Sequence, residues 1–276
     1  MGYMKVNRAA LECALRTTKR NQFISGKEHP QVVSCILRAV GDRVTTTSIV
    51  KDGKTSVARF SFAGDGFPIN IPVPDIDRLL GALKYHGVEV KLDANDDKLV
   101  VRSGKKQTTM SANSDGRAFP NTQTTIAEWE SNSIERADSL SQNGYKMTRN
   151  GYEMNDGQLR KPFYTISMDA EELFDALRCD EMNGQRMNRY TFDLKDDILK
   201  VVVGDHLKGR TEIVLSDDAL CDTDFTATFE GGLEYVLKHY NCPIDLHFYD
   251  FTPEGQGYRL CIWFTEDDFV FQAGVL

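Results

Sequence analysis

The residue types that could catalyse a reaction or bind a metal are not spaced as such sites require. Five histidines are dispersed along the chain, with no HxxxH or HxH pair: His29, His86, His206, His239 and His247. Paired carboxylates fall in turns, where Asp binds its own backbone: Asp96-Asp97, Asp196-Asp197, Asp217-Asp218 and Asp267-Asp268. These carboxylates lack further oxygen ligands at the set spacing of a site for a divalent cation. The sequence also contains neither the phosphate-binding loop GxxxxGKS/T nor the nucleophile turn GxSxG. We therefore predict no enzyme activity, no catalytic residue, no cofactor and no metal.

The cysteines give no metal or disulfide pattern either. The chain has six of them, far apart and without a CxxC pair: Cys13, Cys35, Cys179, Cys221, Cys242 and Cys261. We expect scattered buried thiols in the reducing cytoplasm.

Neither an apolar run long enough to cross a bilayer nor a signal peptide in residues 1–31 is present, so no membrane partner is expected. A composition of 41% hydrophobic and 27% charged residues is typical of a soluble globular protein.

The residues that do form a pattern are basic ones on amphipathic helices. Lys5–Arg20 has an apolar stripe that includes Leu11 and Leu15, and its arginines and lysines lie off that stripe. Further helices are predicted at Asp75–His86, at Asp169–Arg178 and around Leu233–Tyr240. The net charge of -8 does not exclude nucleic acid as a partner, because recognition depends on where charges lie.

These helices recur in one order of elements, which indicates an internal duplication. Each half has a helix, a run of strands, a second helix and a hairpin. The first helices read NRAALECALR and DAEELFDALR, and their final arginines differ in number by 178 − 16 = 162. In the second helices, Leu83-Lys84 matches Leu237-Lys238, a difference of 238 − 84 = 154. The similar offsets predict two domains of one α+β plan.

The segment between the halves differs in composition. Ser111–Arg160 is rich in Ser, Asn, Thr, Gly and Asp and shows no sustained period. We predict an inter-domain connector with an inserted loop, partly ordered by short helical turns around Ile126–Ala137. Its length leaves two alternatives, a function of its own or a mobile surface loop. The predicted boundaries are residues 1–110 for the N-terminal domain, 111–161 for the connector and 162–276 for the C-terminal domain.

The paired pattern resembles the DNA sliding clamps, namely proliferating cell nuclear antigen and the clamps of T-even-type phages. The opening MKVNRAALECALRTT is similar to the phage version, and the closing DDFVFQAGVL is similar to the last strand and tail of both groups. The resemblance covers most of the chain except Ser111–Arg160. It implies an α+β, duplicated DNA-clamp fold, in which two domains each place two helices on antiparallel sheets. Three chains would close into a six-domain ring.

The resemblance also implies a function and a set of partners. A sliding clamp is a processivity factor that encircles double-stranded DNA without sequence preference and tethers a DNA polymerase and other replication proteins. The implied partners are therefore DNA, a polymerase, a clamp loader and further copies of the chain in a homotrimer. A phage-like clamp would act in the cytoplasm of its host cell.

The resemblance assigns the lining of the pore to basic residues on or beside the helices. These DNA-binding residues are Arg8, Arg16, Lys19, Arg20, Arg78, Lys84, Arg178 and Lys238. The alternative for each is a solvated charge with no role. The helix Asp169–Arg178 departs from the pattern because it carries four carboxylates: Asp169, Glu171, Glu172 and Asp175. Either only Arg178, Arg186 and Arg189 face the hole, or the lining of the second half is weaker.

A pocket for partner peptides is implied between the connector and the C-terminal segment. Its residues by position are Ile49, Val50, Val57, Phe271, Ala273 and Val275. For Val57 and Phe271 the alternative is ordinary sheet core. The tail lacks the proline of the cellular clamps, which leaves the partner motif open.

Two other functions stay open: a polymerase accessory factor that holds DNA by charge without a ring, and a duplicated β-rich structural or interaction protein with no DNA role.

Overall fold

The computed structural model of the chain describes residues 3–24, 27–32, 34–50, 56–66, 69–95, 98–111, 145–154, 159–179, 189–205, 209–230, 233–254, 257–265 and 268–275. The helices are α1 (Arg8–Thr18), α2 (Ile76–Leu83), α3 (Ala170–Arg178) and α4 (Leu233–Leu237), and Thr252–Glu254 is a short 3₁₀ turn. The strands of the first half are β1 (Tyr3–Asn7), β2 (Arg20–Ile24), β3 (Lys27–Val32), β4 (Cys35–Val40), β5 (Arg43–Val50), β6 (Ser56–Gly66), β7 (Ile69–Val73), β8 (Glu89–Asn95), β9 (Lys98–Ser103) and β10 (Lys106–Ser111). The later strands are β11 (Tyr145–Thr148), β12 (Gly151–Met154), β13 (Leu159–Arg160), β14 (Tyr164–Asp169), β15 (Arg189–Lys195), β16 (Ile198–Asp205), β17 (Gly209–Ser216), β18 (Phe225–Glu230), β19 (Pro243–Phe251), β20 (Gly257–Trp263) and β21 (Phe269–Val275).

Each half builds the same pair of four-stranded antiparallel sheets. In the first half the strand orders are β7-β4-β5-β6 and β1-β8-β9-β10. In the second half they are β18-β15-β16-β17 and β14-β19-β20-β21. The helices occupy matching places, since α1 and α3 follow the first strand of each half and α2 and α4 precede the final three strands. The predicted duplicated α+β fold is confirmed.

Local chemistry explains where the helices begin. The side chain of Asn7 accepts hydrogen bonds from the backbone N–H groups of Ala9 and Ala10, which caps α1. Asp75 caps α2 in the same way by accepting from the N–H of Arg78. Asp169 occupies the corresponding position before α3, but its side chain makes no capping hydrogen bond.

Two apolar clusters hold the helices against the sheets, one in each half. In the first half the leucines of α1 and α2 pack on strand residues such as Val44 and Ile71. In the second half, Leu173 of α3 and Leu237 of α4 pack on alternate residues of β19, such as Phe248. The other residues at the end of β19 contribute to a third cluster on the opposite face, which consists of Tyr249, Phe251, Cys261, Trp263, Phe269 and Phe271. We call this third set the outer cluster.

The two halves join where β6 pairs with β21. The register places Val57 opposite Phe271 and Ala58 opposite Val270. On the helix side, the buried ring of Phe60 lies 6.0 Å from that of Tyr240 and 6.1 Å from that of Phe264. The buried carboxylate of Asp268 accepts hydrogen bonds from the backbone N–H (2.6 Å) and hydroxyl (2.8 Å) of Ser61. We call these contacts the internal joint.

Several elements differ from the sequence prediction. The first helix begins at Arg8, not Lys5, because the preceding residues form β1 between β6 and β8. The hairpin β2–β3 was not predicted. The last part of the connector forms a three-stranded sheet, β11-β12-β13. The predicted helical turns at Ile126–Ala137 lie outside the described residues.

The thiols also differ from expectation, because only two of the six are buried. Cys35 and Cys261 lie in the core, Cys13 is exposed, and the other three are half-buried. Burial raises the pKa of Cys35 strongly.

Among the described helices, none is long and apolar enough to cross a membrane. The described residues hold no group of three or more His, Cys, Asp and Glu side chains placed to bind a metal ion.

Candidate nucleic-acid interface

The four helices form one row that crosses both halves. Helix α2 contacts α1, α1 contacts α4, and α4 contacts α3. Their apolar residues point into the two cores described above, so their polar faces lie together on the other side of the row. This helix row is the surface on which the predicted basic residues can act as a set.

Three of the predicted residues are exposed on the first half of the helix row. They are Arg16 in the last turn of α1, Arg78 in the first turn of α2, and Lys84, which follows α2 directly. Within the described part of the chain, no ion pair involves these three side chains. Flexible charges of this kind can follow a phosphate backbone through transient contacts.

Arg8 and Lys19 have structural contacts that limit such a role. Arg8 donates from Nη1 to the carbonyl oxygen of His86 at 2.6 Å, and its Nε lies 3.5 Å from the carboxylate of Glu12. Lys19 donates from Nζ to both carboxylate oxygens of Asp77, at 2.9 and 2.8 Å, which ties α1 to α2. Arg20 begins β2, and Arg186 lies outside the described residues.

The second half of the helix row is mixed in charge. Arg178 is exposed at the end of α3 with its guanidinium 5.1 Å from the ring centre of Phe174, and Lys238 is exposed after α4. Arg189 is exposed at the start of β15. Glu171, Glu172 and Asp175 are also exposed on α3. Helix α3 by itself therefore presents more negative than positive charge, unlike α1 and α2.

The residues predicted for a partner pocket gather around the pairing of β5, β6 and β21. Val57 lies directly opposite both Ile49 and Phe271. The next row continues from Phe271 to Cys261 and His247 across β20 and β19. Phe271 is buried as part of the outer cluster. Val50 adjoins Ile49 on β5, while Ala273 and Val275 follow along β21.

Comparison with solved structures decides the fold. A DNA polymerase sliding clamp from Pseudomonas aeruginosa matches 100% of this chain with a TM-score of 0.61 at 13% identity, and this chain covers 64% of that protein. The DNA polymerase III subunit beta of the same organism matches 99% with a TM-score of 0.62, and 65% of it is covered. The chain has the DNA sliding-clamp fold.

Other clamp structures agree with this result, and sequence comparisons add nothing to it. A putative DNA polymerase III beta subunit from Eubacterium rectale has a TM-score of 0.59 to this chain at 10% identity. The chain spans slightly less than two thirds of the length of these clamps. No family model and no curated protein matches the sequence. At these identities the similarity establishes the clamp fold alone.

The connector sheet of this clamp fold is anchored to β19 by two arginines that sequence reasoning did not identify. Arg149 pairs with the carboxylate of Asp245 near the start of β19. Arg160 donates to the carbonyl oxygen of Asp250 at 3.2 Å and lies over the ring of Phe251, 4.6 Å from its centre. One signal for this sheet was available, because Asn150-Gly151 is a dipeptide typical of hairpins.

Two histidines are buried, and burial disfavours their charged form. His86 contacts the hydroxyl oxygens of Ser103 and Thr108, each at 2.9 Å, and burial together with the charge of Lys106 lowers its pKa. Burial also lowers the pKa of His247, with Asp245 opposing and Arg149 reinforcing the change. Both imidazoles are therefore favoured in the neutral form in the folded protein.

Acid should destabilise the protein through these histidines. A folded-state pKa below the ordinary value of 6.5 means that the unfolded chain binds the proton more readily. The contribution of these histidines to the free energy of unfolding should therefore be fully present above pH 6.5 and be lost as the pH falls from there through their lowered pKa values. Urea titrations across this pH range will measure the loss, and His247→Gln should reduce the slope of the free energy of unfolding against pH. An unchanged slope in that variant would contradict the contribution of His247.

Proposed function

We propose that this protein is a DNA sliding clamp, a processivity factor that closes as a homotrimeric ring around double-stranded DNA and tethers a DNA polymerase. One observation carries the proposal: the two outermost strands of the joined sheets are the duplicated counterparts of the two strands that form the internal joint. By position in each half, β17 corresponds to β6 and β10 corresponds to β21. Each half therefore has one edge of each kind.

The open edges explain why copies should associate. Within the described residues, β10 pairs only with β9 and β17 pairs only with β16. Exposed strand edges are association sites unless they are covered. Pairing β17 of one copy with β10 of the next repeats the internal joint, and such head-to-tail contacts close into a ring when the rotation allows it. With two domains per chain, three chains complete the six-domain ring of the sliding clamps.

A ring of this kind places the helix row toward DNA. Arg16, Arg78 and Lys84 then repeat around the hole and provide sequence-independent attraction, with Lys238 contributing from the second half. An overall charge of -8 is compatible with this role because recognition depends on where charges lie: the paired carboxylates fall in turns, and the exposed basic residues of α1 and α2 form the positive part of the row. The role needs no bond-making chemistry, so we assign the protein no enzymatic activity.

Partner proteins would dock on the outside of the ring. We assign the docking of a polymerase and a clamp loader to the sheet region around Ile49, Val57 and Phe271, with Val50, Ala273 and Val275 beside it. The pairing of these strands and the adjacent connector sheet support this assignment. The protein would act in the reducing cytoplasm, or in that of a host cell if it is viral.

Retention on DNA of different topology tests the proposal. We expect light scattering to give a mass of three chains at high protein concentration. We also expect retention on nicked circular DNA at a salt concentration that strips charge-held proteins, with release when the circle is cut. Equal retention on linear DNA, lost with salt, would favour an accessory factor held by charge. Absence of DNA binding at low salt would favour a structural protein.

A further inference from the structure

We propose that copies of this chain join in one defined register, with Thr108 of one copy opposite Thr211 of the next and the acidic face of α3 against the basic end of α2. The proposal rests on the proposed ring and extends it to individual residue pairs. The internal duplication supplies the register, because the internal joint and the joint between copies are built from corresponding strands.

The correspondence of β6 and β17 follows from two matching turns. A two-residue turn separates Val40 from Arg43, and another separates Lys195 from Ile198. Counting along the next strand, Thr45 corresponds to Lys200. Their partners are Ser61 in β6 and Val214 in β17. The same register matches Phe60 with Ile213, Ala58 with Thr211 and Val57 with Arg210.

The correspondence of β10 and β21 follows from the starts of α1 and α3. Asn7 pairs with Glu89, and Asp169 pairs with Pro243. Four residues further along each strand, Asp93 matches His247, and their partners Val100 and Cys261 therefore match. These two residues pair with Thr109 in β10 and Phe271 in β21, so Thr108 corresponds to Val270.

Transferring the internal joint to the open edges gives the contacts between copies. The pairing of Val270 with Ala58 becomes Thr108 with Thr211. The pairing of Phe271 with Val57 becomes Thr109 with Arg210. On the helix side, Phe60 corresponds to Ile213. Tyr240 corresponds to His86 because Leu237 and Leu83 align, and Phe264 corresponds to Ser103 when the register of β20 and β9 is continued. The aromatic group of the internal joint is therefore replaced by Ile213 of one copy against His86 and Ser103 of the next. Apolar residues that are exposed in one copy flank this region: Tyr85 (74% exposed), Val88 (68%) and Val214 (52%).

The joint between copies is thus a more polar version of the internal joint. The internal joint contains three aromatic rings and a buried carboxylate bound to Ser61. Its counterpart contains an imidazole already bound to Ser103 and Thr108. Less apolar area is available for burial, so the joint between copies should be the weaker one. A ring built this way opens between chains and not between the halves of a chain.

The same correspondence explains the acidic face of α3. Inside the chain, α1 contacts α4, and the charge of Arg16 contributes to lowering the pKa of His239 after burial and Lys238. The counterpart contact is α3 of one copy with α2 of the next. It brings Asp175 and Arg178, the counterparts of Cys13 and Arg16, toward Lys84 at the C-terminal end of α2. Pairing of Asp175 with Lys84 favours this contact, and the exposed Glu171 and Glu172 give α3 a net negative charge that offsets the like charges of Arg178 and Lys84.

Engineered disulfides test the register. We expect Thr108→Cys with Thr211→Cys, or Thr109→Cys with Arg210→Cys, to give on oxidation a covalent ladder that ends at three chains. Two adjacent pairs are used because one of them is a non-hydrogen-bonded pair, with Cα atoms at about 4.5 Å, within disulfide range. Thr108→Cys with Arg210→Cys is the matched control, since a one-residue slip places the side chains on opposite faces. Single variants and the unaltered chain reveal any cross-linking by native cysteines. Cross-linking of the control pair, or of no pair in folded protein, would overturn the register.

A charge exchange tests the helix contact. Asp175→Lys and Lys84→Glu should each lower the trimer's association constant by about tenfold, and the combined variant should restore most of it. Asp222→Lys is a control because Asp222 is also an exposed carboxylate but belongs to the segment between β17 and β18 and not to a helix. Failure of the double variant to recover while each single variant weakens association would contradict the pairing.

Oxidation around DNA separates this inference from the function on which it rests. Cross-linking the matched pairs in the presence of nicked circular DNA should leave protein on the circle in denaturant, and cutting the circle should release it. A covalent trimer that never links to the circle would retain the register and refute encirclement. Topological retention of the unaltered protein without cross-linking of any matched pair would retain the clamp and refute the register.

Discussion

The double variant Arg16→Glu with Arg78→Glu is expected to lose retention on circular DNA while keeping its fold and its three-chain mass. Both side chains are exposed on the helix row, and the structure shows no ion pair for either among the residues it describes. Three copies would place six reversed charges around the hole. Because each neutralised phosphate contributes through counterion release, we expect affinity to fall on the order of a hundredfold or more near 0.1 M salt.

The measurement is a salt series of DNA affinity, with circular dichroism and light scattering to verify fold and mass. The slope of log affinity against log salt should become shallower by about 0.9 for each phosphate that the variant no longer neutralises. Arg38→Glu with Lys195→Glu is the matched control, since it changes the same total charge at exposed positions on β4 and at the end of β15. Arg38 lies between the buried residues Leu37 and Ala39, so it faces away from the helix row. Equal decreases in both variants would show that net charge, and not the helix row, holds the DNA.

The order of elements could be predicted from the sequence because each element has a local signal. The repeated Ala-Leu-Arg of α1 and α3, and the alternation of Ile244, Leu246 and Phe248, are set by one-sided burial within a single element. Such patterns depend on a few consecutive residues. They therefore predicted a duplicated α+β chain with strands close to their observed bounds, although the pattern of α1 was extended back over β1.

The parts that were missed depend on long-range pairings that no local pattern contains. The pairing of β6 with β21 joins residues about 200 positions apart, such as Ser61 and Asp268, and only the assembled fold brings them together. For the same reason Lys19 could not be recognised as a partner of Asp77. In β2–β3, Pro30 reads as a strand breaker, and only pairing within the hairpin makes the segment extended. The pore and pocket assignments stay predictions that the proposed experiments address.

The largest expected decrease in stability comes from Phe60→Ala at the internal joint. Phe60 is 2% exposed, and its ring contacts those of Tyr240 and Phe264 from the other half. Truncating a buried aromatic residue removes its transfer free energy and leaves a cavity, so the free energy of unfolding should fall by about 3–5 kcal/mol. In a chain of this size the melting temperature should drop on the order of 10 °C. Urea titration of dilute protein will measure the change.

Ile213→Ala is the informative comparison because Ile213 is the counterpart of Phe60 at the open edge. It is only partly buried in the single chain, so its truncation should cost about 1–2 kcal/mol in dilute protein. At high concentration, however, the same change should weaken the trimer, whereas Phe60→Ala should leave the association of its folded fraction unaltered. A small effect of Phe60→Ala, or a trimer insensitive to Ile213→Ala, would contradict the equivalence of the two joints. The two variants together therefore separate what holds the halves of one chain from what holds one chain to the next.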